Sequence, residues 1–439
     1  GKSTLLKIIA GLYQPQGGAV TIDGIDIRQL PPGDLQRAMC YLPQNSHLFH
    51  GTIEQNLRLA DPTASTHDLM MALSEAGALE EQGLGWKNSF GTGAGDDTID
   101  GGTGLDTLDF GTETIQLSDF DFVGGEFVVN VLGQDTVVNV ERVTGDGDTF
   151  LIVGSGGFAT IQDAVAAAED GQTIVVTQGN YSGTVTIDSE LNDVTIIGVG
   201  NVVLDGAFNI QGSGTTLNGL TIQNGASVEN SSTAIYLNAS DVTLTDLIMR
   251  APLPFDENTF GLVSVTGANT SGLTVTNMDS MGFQTALYLN PGAEGTVISE
   301  STLIGTRAGL GVDGVQNLTL TNNVFDGDDL DLELFNINGT QFQATGNTFT
   351  DGAIQNNQYD GQLSGVLSFG PSTFAEVLYN SLQIGSANPD TLMGTALNDY
   401  VDGGAGVDTM VVLDGQNFTA ANISGVELLK GSGTVTMTA

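Results

Sequence analysis

Short apolar runs separated by turns of Asn, Gly and Asp fill the chain from residue 171 to residue 352. Within them an element of six residues recurs, with apolar residues mainly at its first and last positions. The copies are LNGLTI (217–222), LTDLIM (244–249), VTNMDS (275–280), ISESTL (298–303), LTNNVF (320–325) and ATGNTF (344–349). The steps between copies are 27, 31, 23, 22 and 24 residues, longer than the about 18 residues per coil of a hexapeptide left-handed helix. The pattern predicts a right-handed parallel β-helix whose apolar positions stack into one core.

An amphipathic segment precedes these runs. Residues 160–169 predict a helix with one apolar face, formed by Ile161, Ala164, Val165 and Ala168. This face can cover the open apolar end of the first coil, because a solenoid needs a cap on its core.

Two strands of the predicted β-helix carry similar sequences, AIYLN (234–238) and ALYLN (286–290). Strand alternation places Tyr236, Asn238, Tyr288 and Asn290 outward, with Ser264 and Thr266 between them and Gly311 and Asp313 beyond. An outward column of Tyr, Asn and Asp can stack against a sugar chain and hydrogen-bond to it. The alternative is that Tyr merely favours strands and Asn merely caps them.

Few side chains of this region could catalyse a reaction. It has no His and no Lys, and its cationic residues are Arg250 and Arg307. A lyase needs a base and a group that neutralises a uronate carboxylate, and Arg307 with Asp313, near Arg250, is the constellation that could serve. A hydrolase could instead use the pair Asp328 and Asp329. These acids could equally be solvated turns or calcium ligands, so the sequence leaves open whether the chain is an enzyme.

Glycine and aspartate recur with a period of nine residues in two blocks. Residues 92–100 and 101–109, and later 385–393, 394–402 and 403–411, follow the pattern G-G-x-G-x-D-x-U-x with Asp sixth and an apolar residue eighth. A flexible linker rich in Gly and Asp would not keep this apolar position. Glycine permits left-handed turns, and main-chain carbonyls with carboxylates are the ligands that Ca²⁺ prefers. The candidate calcium ligands are Gly93, Gly95, Asp97, Gly102, Gly104, Asp106, Asp390, Asp399, Gly404, Gly406 and Asp408.

Acidic residues outnumber basic ones by 52 to 10, which gives a formal net charge of −42. This charge repels nucleic-acid phosphates and anionic membranes and favours divalent cations. The single cysteine, Cys40, excludes an intrachain disulfide framework. The sequence contains no run of about 18 apolar residues, so it predicts no transmembrane segment.

The first 85 residues differ in composition from the rest. They hold 5 of the 10 basic residues, 9 of the 52 acidic residues and all three histidines. Helical runs are predicted at 3–10 and 66–81, and a β-type run at 19–27. The chain opens with GKST, the end of a phosphate-binding loop. Because it begins inside this motif, we expect the chain to be a fragment.

The stretch GKSTLLKIIAGLYQPQGGAVTIDGIDI, followed by YLPQNSHLFHGTIEQNL, resembles the ATPase domain of ABC exporters, particularly those of type I secretion systems. The resemblance implies that ATP and Mg²⁺ are bound by Gly1, Lys2, Ser3, Thr4 and Gln44. Nothing in the sequence resembles the LSGGQ signature, the Walker B strand with its catalytic Glu, or the switch His. Without them this segment is not expected to hydrolyse ATP alone.

The nonapeptides resemble the RTX family of calcium-binding secreted proteins, and the segment from residue 158 onward resembles the pectin-lyase-like superfamily. The expected fold is mostly β, a right-handed parallel β-helix flanked by RTX β-roll segments, with a small partial α/β P-loop segment first. The expected domains are 1–85 (ATP-binding segment), 90–155 (RTX), 156–365 (β-helix) and 366–439 (RTX).

These resemblances imply a secreted calcium-binding protein that binds carbohydrate or acts on a polysaccharide and is exported by type I secretion. Its expected partners are a polysaccharide or cell-surface glycan and the secretion apparatus, with no nucleic acid. The ABC-like segment would be cytoplasmic and membrane-associated. The alternative is an ATP-binding fragment of an exporter.

Overall fold

The computed structural model describes residues 8, 13, 17–22, 25–29, 89–91, 95–224, 226–228, 231–251, 259–267, 269–328, 330–337, 339–350, 354–356, 366–370, 373–374, 381–386, 388–395, 399–431 and 433–437. The chain divides into two units, Gly1–Gly83 and Leu84–Ala439. In the first unit Thr21–Ile22 pairs antiparallel with Ile25–Asp26, and the 3-10 turn Ile27–Gln29 follows. This hairpin lies inside the predicted β-type run. Apart from Ile8, which is helical, the predicted helical runs lie outside the described residues.

The second unit contains the predicted parallel β-helix, in which each coil contributes a strand to three parallel sheets. The first two coils are continuous strands, Thr173–Ile187 and Thr195–Ile210. The first sheet continues through Thr216–Asn218, Thr243–Thr245, Thr274–Thr276, Val297–Ser299, Leu318–Thr321 and Phe342–Thr345. The second continues through Thr221–Asn224, Ile248–Arg250, Val324–Gly327, Thr348–Phe349 and Thr373–Phe374. The third continues through Ser231–Leu237, Thr259–Ser264, Leu330–Phe335 and Ile354–Asn356.

Three further segments complete these sheets. The strands Asp279–Leu289 and Thr302–Asp313 run from the second sheet into the third. Ala226–Val228 pairs antiparallel with the start of Ser231–Leu237. The 3-10 turn Gly339–Gln341 precedes Phe342–Thr345 in the first sheet.

The register of the first sheet follows the six-residue element read from the sequence. The first residues of its six copies pair in order across the coils: Leu217, Leu244, Val275, Ile298, Leu320 and Ala344. The predicted period and alignment are therefore confirmed residue by residue, since apolar side chains in one register are buried together.

A residue with positive φ turns the chain from the first sheet into the second in each of these coils. The residues at this corner are Gly219, Asp246, Asn277, Glu300, Asn322 and Gly346, with φ between 52° and 70°. Gly, Asn and Asp adopt this conformation at low cost. This explains why the sequence repeats a polar residue or Gly between the two apolar positions of each element.

The inward faces of the three sheets form one continuous core. Phe325 and Phe349, both fully buried, stack on adjacent coils with ring centroids 5.4 Å apart. The helix Ile161–Ala167 joins this core through buried Ile161, Ala164 and Val165, and Ala168 packs against it. Thr160 caps the helix, its hydroxyl accepting a hydrogen bond from the Asp163 N–H at 3.0 Å. The predicted cap helix is thus present, ending two residues early.

Two buried asparagines form a ladder beside the core, which we call the amide ladder (Ser301, Asn323 and Asn347). Asn323 Oδ1 accepts the Ser301 N–H at 2.9 Å, and Asn347 Oδ1 accepts the Asn323 N–H at 2.9 Å. Their Nδ2 atoms donate to the carbonyls of Ile298 (2.8 Å) and Leu320 (3.0 Å). Both ends of each amide are therefore satisfied inside the protein.

Residues 89–145 form the N-terminal roll. Ser89–Gly91 pairs parallel with Thr107–Asp109, which pairs with Arg142–Gly145. Thr98–Asp100 lies in a second sheet and pairs parallel with Asp135–Val138. The first of these pairings has an 18-residue offset, two nonapeptides, so each nonapeptide supplies one strand to one of two sheets. The 3-10 turn Leu117–Asp119 and the hairpin Phe120–Val123 with Glu126–Val129 are inserted.

The roll and the β-helix are joined through one strand. Asp148–Val153 pairs antiparallel with Arg142–Gly145 and parallel with Thr173–Ile187. The first sheet of the β-helix thus continues into the roll, and the cap helix is not its only neighbour at this end.

The described residues from 381 to 431 form the C-terminal roll, again with two sheets, and the first pairing in each sheet has an 18-residue offset. Ser381–Ile384 pairs parallel with Asp399–Asp402, which pairs with Asn422–Ser424. Thr391–Met393 pairs parallel with Thr409–Val412, which pairs with Leu428–Gly431. Leu367–Ser368 pairs antiparallel with Ser381–Ile384, and Asn417–Phe418 pairs with Thr436–Met437. The eighth positions of the nonapeptides, Leu392, Val401 and Met410, are fully buried, as predicted.

Candidate functional site

The turns of the C-terminal roll stack the sixth-position aspartates on one edge. Asp390 N–H donates to Asp408 Oδ1 at 2.8 Å, and Thr409 N–H donates back to the Asp390 carbonyl at 2.8 Å. A Cβ on Gly403 would lie 1.9 Å from the Gly425 carbonyl oxygen, so only glycine allows the turns to approach this closely. The predicted ligands Gly404 and Gly406 have positive φ in the same turn.

Asp408 is the most deeply placed carboxylate of this edge. Its side chain is fully buried, and Oδ2 accepts no hydrogen bond. Burying a carboxylate oxygen without a partner is costly, because the charged group loses its hydration. A cation beside Oδ2 would remove that cost, so the residues present fit a calcium ion.

Asp399 lies on the opposite edge of the same roll. It is fully buried and accepts the Thr395 N–H at 2.5 Å and the Thr395 hydroxyl at 2.7 Å. The structure therefore brings Asp390 and Asp408 together and leaves Asp399 on the other side, as an alternation of turns between two edges requires.

The N-terminal roll repeats this arrangement. Asp97 is exposed and its N–H donates to Asp135 Oδ1 at 3.0 Å, whereas Asp106 is fully buried. Asp135 is also fully buried, and its Oδ2 accepts no hydrogen bond. Burial, and then the charges of Asp97 and Asp96, raise the pKa of Asp135. The predicted ligands Gly95, Gly102 and Gly104 have positive φ, and Gly93 lies outside the described residues.

Side chains alone do not assemble a metal site. Among the residues that the structure describes, no three or more carboxylate, imidazole or thiol side chains group together as metal ligands would. Calcium at these turns would therefore depend on main-chain carbonyls for most of its ligands, as hard oxygen donors permit.

The outward face of the third sheet carries the predicted sugar-binding residues. Tyr236, Val263, Tyr288, Gly311 and Glu333 are in register on successive coils. A Cβ on Gly311 would lie 2.4 Å from Tyr288 Cδ2, so the Tyr288 ring covers this glycine. Val263 takes the place between the two tyrosines that was expected for Ser264 or Thr266.

The two asparagines of the predicted column differ in their surroundings. Asn238 is exposed. Asn290 instead binds within the protein, its N–H donating to buried Ser264 Oγ at 2.7 Å and its Nδ2 donating to the Ser264 carbonyl at 2.6 Å. Asn290 therefore links its coil to the preceding coil through Ser264, and Asn238 is the more accessible of the two asparagines.

The three predicted catalytic residues lie in separate contacts. Arg307 Nη2 forms an ion pair with Glu333 Oε2 at 2.7 Å and lies 3.4 Å from Thr285 Oγ1. Arg250 pairs with Asp279 and donates to the Asp279 carbonyl at 2.9 Å. Asp313 accepts a hydrogen bond from Asn336 Nδ2 at 2.5 Å.

Arg307, Glu333, Tyr288 and Asp313 form one electrostatic neighbourhood, which we call the third-sheet cluster. Burial, and then the charges of Asp313 and Glu333, raise the pKa of the half-buried Tyr288, while Arg307 acts in the opposite sense. The phenol therefore stays protonated at neutral pH, beside an arginine that is about one-third exposed (32%).

Sequence reasoning missed Glu333, the partner of Arg307. The signal was present in LDLELF (330–335), because Leu332 and Leu334 face the core and alternation then turns Asp331 and Glu333 outward. Both acids are nonetheless buried, at 0% and 6% exposure. Asp328, which the sequence put forward instead, lies just before this strand, and Asp329 lies outside the described residues.

The predicted nucleotide-binding residues Gly1, Lys2, Ser3, Thr4 and Gln44 lie outside the described residues. Residues 1–93 match a family described as ABC transporter. The mitochondrial iron-sulfur clusters transporter atm1 of Neurospora crassa is 36% identical over 96 residues, which is 22% of this chain and 13% of that protein. The lactococcin-A transport/processing ATP-binding protein LcnC of Lactococcus lactis is 38% identical over 98 residues, which is 21% of this chain and 14% of that protein.

The ABC-like segment thus has exporter relatives, and the match implies ATP and Mg²⁺ as the ligands of the domain to which it corresponds. The chain spans only 13% and 14% of the length of these two curated relatives. No helix in the described part of the chain is long and apolar enough to cross a membrane.

Solved structures similar to the chain include three proteins that act on polysaccharides. One is the catalytic unit of an α-1,3-glucanase from Streptomyces thermodiastaticus (14% identity, TM-score 0.37, 63% of this chain and 64% of that chain). Another is a pectin methylesterase from Aspergillus niger (15%, 0.23, 65% and 85%). A third is the periplasmic alginate epimerase AlgG (10%, 0.25, 66% and 86%).

Proposed function

We propose that residues 89–439 belong to a secreted calcium-binding protein, in which two RTX-type rolls flank a β-helix and fold when they meet calcium. The observation that carries this proposal is the fully buried Asp408, whose Oδ2 has no hydrogen-bond partner inside an 18-residue coil of nonapeptides. The residues that would hold calcium are Asp97, Asp106, Asp390, Asp399 and Asp408, with the carbonyls of their turns.

Bound calcium would supply positive charge and would bind oxygen atoms of the turns. The residues of the chain would shape the turns and align the carboxylates. The glycines let the turns stack, and the sixth-position carboxylates align on the edges. At low calcium the unbalanced acids of a chain with net charge −42 oppose compaction. At extracellular levels near about 10⁻³ M, binding energy becomes folding energy.

Such a switch suits export by type I secretion, which the exporter-like segment of residues 1–93 also supports. The rolls would stay unfolded in a cytoplasm poor in calcium, and their folding outside would oppose return of the chain. The ABC-like segment itself would belong on the cytoplasmic side of the membrane.

Circular dichroism of the full chain tests this mechanism. Adding calcium at about 1 mM should increase the β-structure signal, and excess EGTA should reverse the increase. Identical spectra in calcium and in EGTA would remove the proposal. Magnesium at the same concentration is the matched control, since its preference for near-ideal octahedral sites makes it a poor substitute.

A second function is favoured by the third-sheet cluster. We propose that it binds an acidic polysaccharide, with Arg307 neutralising a uronate carboxylate, Tyr236 and Tyr288 stacking on sugar rings, and Asn238 hydrogen-bonding to the chain. Tyr288 holds its phenolic proton at neutral pH and could donate it to a leaving oxygen, although its raised pKa makes it a weaker acid than an ordinary tyrosine. The support is that the partly exposed Arg307 acts electrostatically on the Tyr288 phenol.

Activity on uronate polymers, followed by absorbance of unsaturated products and by reducing ends, tests the second function. Arg307→Ala should abolish turnover, whereas Arg250→Ala, which removes the arginine paired with Asp279, should leave it intact. Tight binding without turnover in the unchanged chain would indicate an adhesin. Absence of both binding and turnover would contradict the proposal.

The competing function is nucleotide binding by residues 1–85 through Gly1, Lys2, Ser3, Thr4 and Gln44. Hydrogen exchange of this segment with and without ATP and Mg²⁺ tests it. Protection by ATP would support a binding segment, and indifference to ATP would dismiss it.

A further inference from the structure

In each roll, the N–H of one sixth-position aspartate donates to the carboxylate of an acid on the next coil, and we call such a series a carboxylate ladder. Three acids outside the sixth positions of the nonapeptides lie at the ends of these ladders. Asp408 N–H donates to Glu427 Oε2 at 2.8 Å, and Asp106 N–H donates to Glu141 Oε2 at 2.7 Å. Asp97 N–H donates to Asp135 Oδ1 at 3.0 Å. Each bond repeats the one between Asp390 N–H and Asp408 Oδ1 within the nonapeptides.

The return bond is repeated as well. The residue after each acid donates its N–H to the carbonyl of the preceding ladder aspartate: Leu428 to Asp408 (2.9 Å), Arg142 to Asp106 (3.0 Å) and Thr136 to Asp97 (2.9 Å). Thr409 makes the same bond to Asp390 at 2.8 Å. Glu427, Glu141 and Asp135 therefore occupy the sixth position of a next coil. Their own sequences keep at most one nonapeptide glycine, Gly425 before Glu427 and Gly133 before Asp135.

The charges at these ends are not balanced by hydrogen bonds. Asp135 is fully buried with a partnerless Oδ2, and so is Asp408, which faces Glu427. Glu141 is 8% exposed and contacts the fully buried Asp106. A capping role would need only one acceptor oxygen, which a neutral amide could provide. The partnerless Oδ2 atoms of the fully buried Asp135 and Asp408 instead call for a cation beside them.

We propose that Asp135, Glu141 and Glu427 are calcium ligands that complete the terminal site of each ladder. This inference rests on the proposed calcium-dependent folding of the rolls. It assigns one carboxylate from outside the repeats to each ladder end, so the rolls bind more calcium than the nonapeptides by themselves predict.

Three single variants of the full chain test the proposal: Glu427→Gln, Glu141→Gln and Asp135→Asn. Each retains a side-chain oxygen that can accept the ladder N–H, and each removes one charge. Glu126→Gln, at an exposed strand position of the inserted hairpin, is the control. Bound calcium is counted by native mass spectrometry, and the calcium midpoint of folding is followed by circular dichroism.

Each ladder variant should bind one calcium fewer than the unchanged chain, or raise the midpoint by about tenfold, because ligand charge sets calcium affinity. The control should match the unchanged chain. Variants that match the control in both count and midpoint would overturn the assignment alone. No calcium binding by the unchanged chain would overturn the proposed function and, with it, this inference.

One further variant covers a failure to fold. If Glu427→Gln remains unfolded at every calcium concentration, Glu427→Asp retains the charge on a shorter arm. Calcium-dependent folding of Glu427→Asp would support a ligand. Failure of Glu427→Asp as well would mean that the length of the side chain matters rather than its charge, and would overturn the proposal for this residue.

Discussion

The β-helix and the rolls use the same hydrogen-bond ladder with different side chains. In the amide ladder the Asn323 N–H donates to Asn347 Oδ1 at 2.9 Å, and in the C-terminal roll the Asp390 N–H donates to Asp408 Oδ1 at 2.8 Å. The second atom of each side chain differs. Asn347 Nδ2 donates to the Leu320 carbonyl at 3.0 Å, whereas Asp408 Oδ2 is an acceptor with no donor.

This difference separates a ladder that is complete from one that needs a ligand. An amide carries both a donor and an acceptor, so a buried column of amides satisfies itself. A carboxylate carries only acceptors, so a buried column of carboxylates needs protons or a cation. One fold can thus be stable by itself in the middle and dependent on ions at its ends.

The cores of the two regions reinforce the contrast. The core of the β-helix runs from Leu151 to Ile384, whereas the C-terminal roll buries a separate cluster of Leu392, Val401, Met410, Val412 and Phe418. So small a cluster provides little hydrophobic stabilisation, since each fully buried side chain contributes about 1.5–3 kcal/mol against the entropy of ordering the chain.

The largest expected effect is loss of the C-terminal roll on calcium removal. In excess EGTA, amides of the roll strands Asp399–Asp402 and Thr409–Val412 should lose hydrogen-exchange protection entirely, while those of the β-helix strands Thr274–Thr276 and Leu318–Thr321 remain protected. The contrast is broken if the β-helix loses protection at the same EGTA concentration or if the roll keeps its protection.

Phe325→Ala should destabilise the β-helix by about 3–5 kcal/mol, because it empties a fully buried site stacked against Phe349. Denaturant unfolding should show the same loss in calcium and in EGTA. Ile248→Ala, at a 40% exposed position, is the control. A loss that depends on calcium would mean that the two regions unfold as one unit.

Asn323→Asp places a roll-type carboxylate in the amide ladder. We expect destabilisation by about 2–3 kcal/mol at neutral pH, since the Ile298 carbonyl loses its donor and a charge is buried. Denaturant unfolding measures the change, and Asn201→Asp, at an exposed position, is the control. No effect would show that this site already admits water or a cation.

The smallest expected effect concerns the ionisation of Tyr288 in the third-sheet cluster, where Arg307 offsets the charges of nearby acids. The raised pKa of Tyr288 should appear in an ultraviolet titration as one phenol ionising later than an ordinary tyrosine. Because the pKa is raised by folding, its contribution to stability is complete below the ordinary tyrosine pKa and is lost as pH rises through the folded value. Arg307→Met should delay ionisation further, and Tyr288→Phe should remove this phenol from the titration. Ordinary ionisation of Tyr288 would contradict the third-sheet cluster.

Much of the fold could be predicted because its signals are local and periodic. The six-residue element fixed the register from Leu217 to Ala344, and the nonapeptides fixed the 18-residue offset of the rolls. Alternation placed Tyr236 and Tyr288 outward correctly. It could not reveal that Asn290 binds Ser264 or that Arg307 pairs with Glu333, because coil lengths vary and decide which outward residues meet.

The sequence by itself determined the repeat lengths, the buried positions and the acidic turns, because a solenoid is built from contacts between neighbouring coils and each coil carries its own pattern. Only the tertiary structure decided which acids stand together. Asp135, Glu141 and Glu427 have no complete nonapeptide around them in the sequence, and they join the ladders because sheet pairing carries their turns onto the last nonapeptide of each ladder. Pairing between distant strands, which depends on the loops inserted before them, is the physical reason that the sequence pattern could not show it.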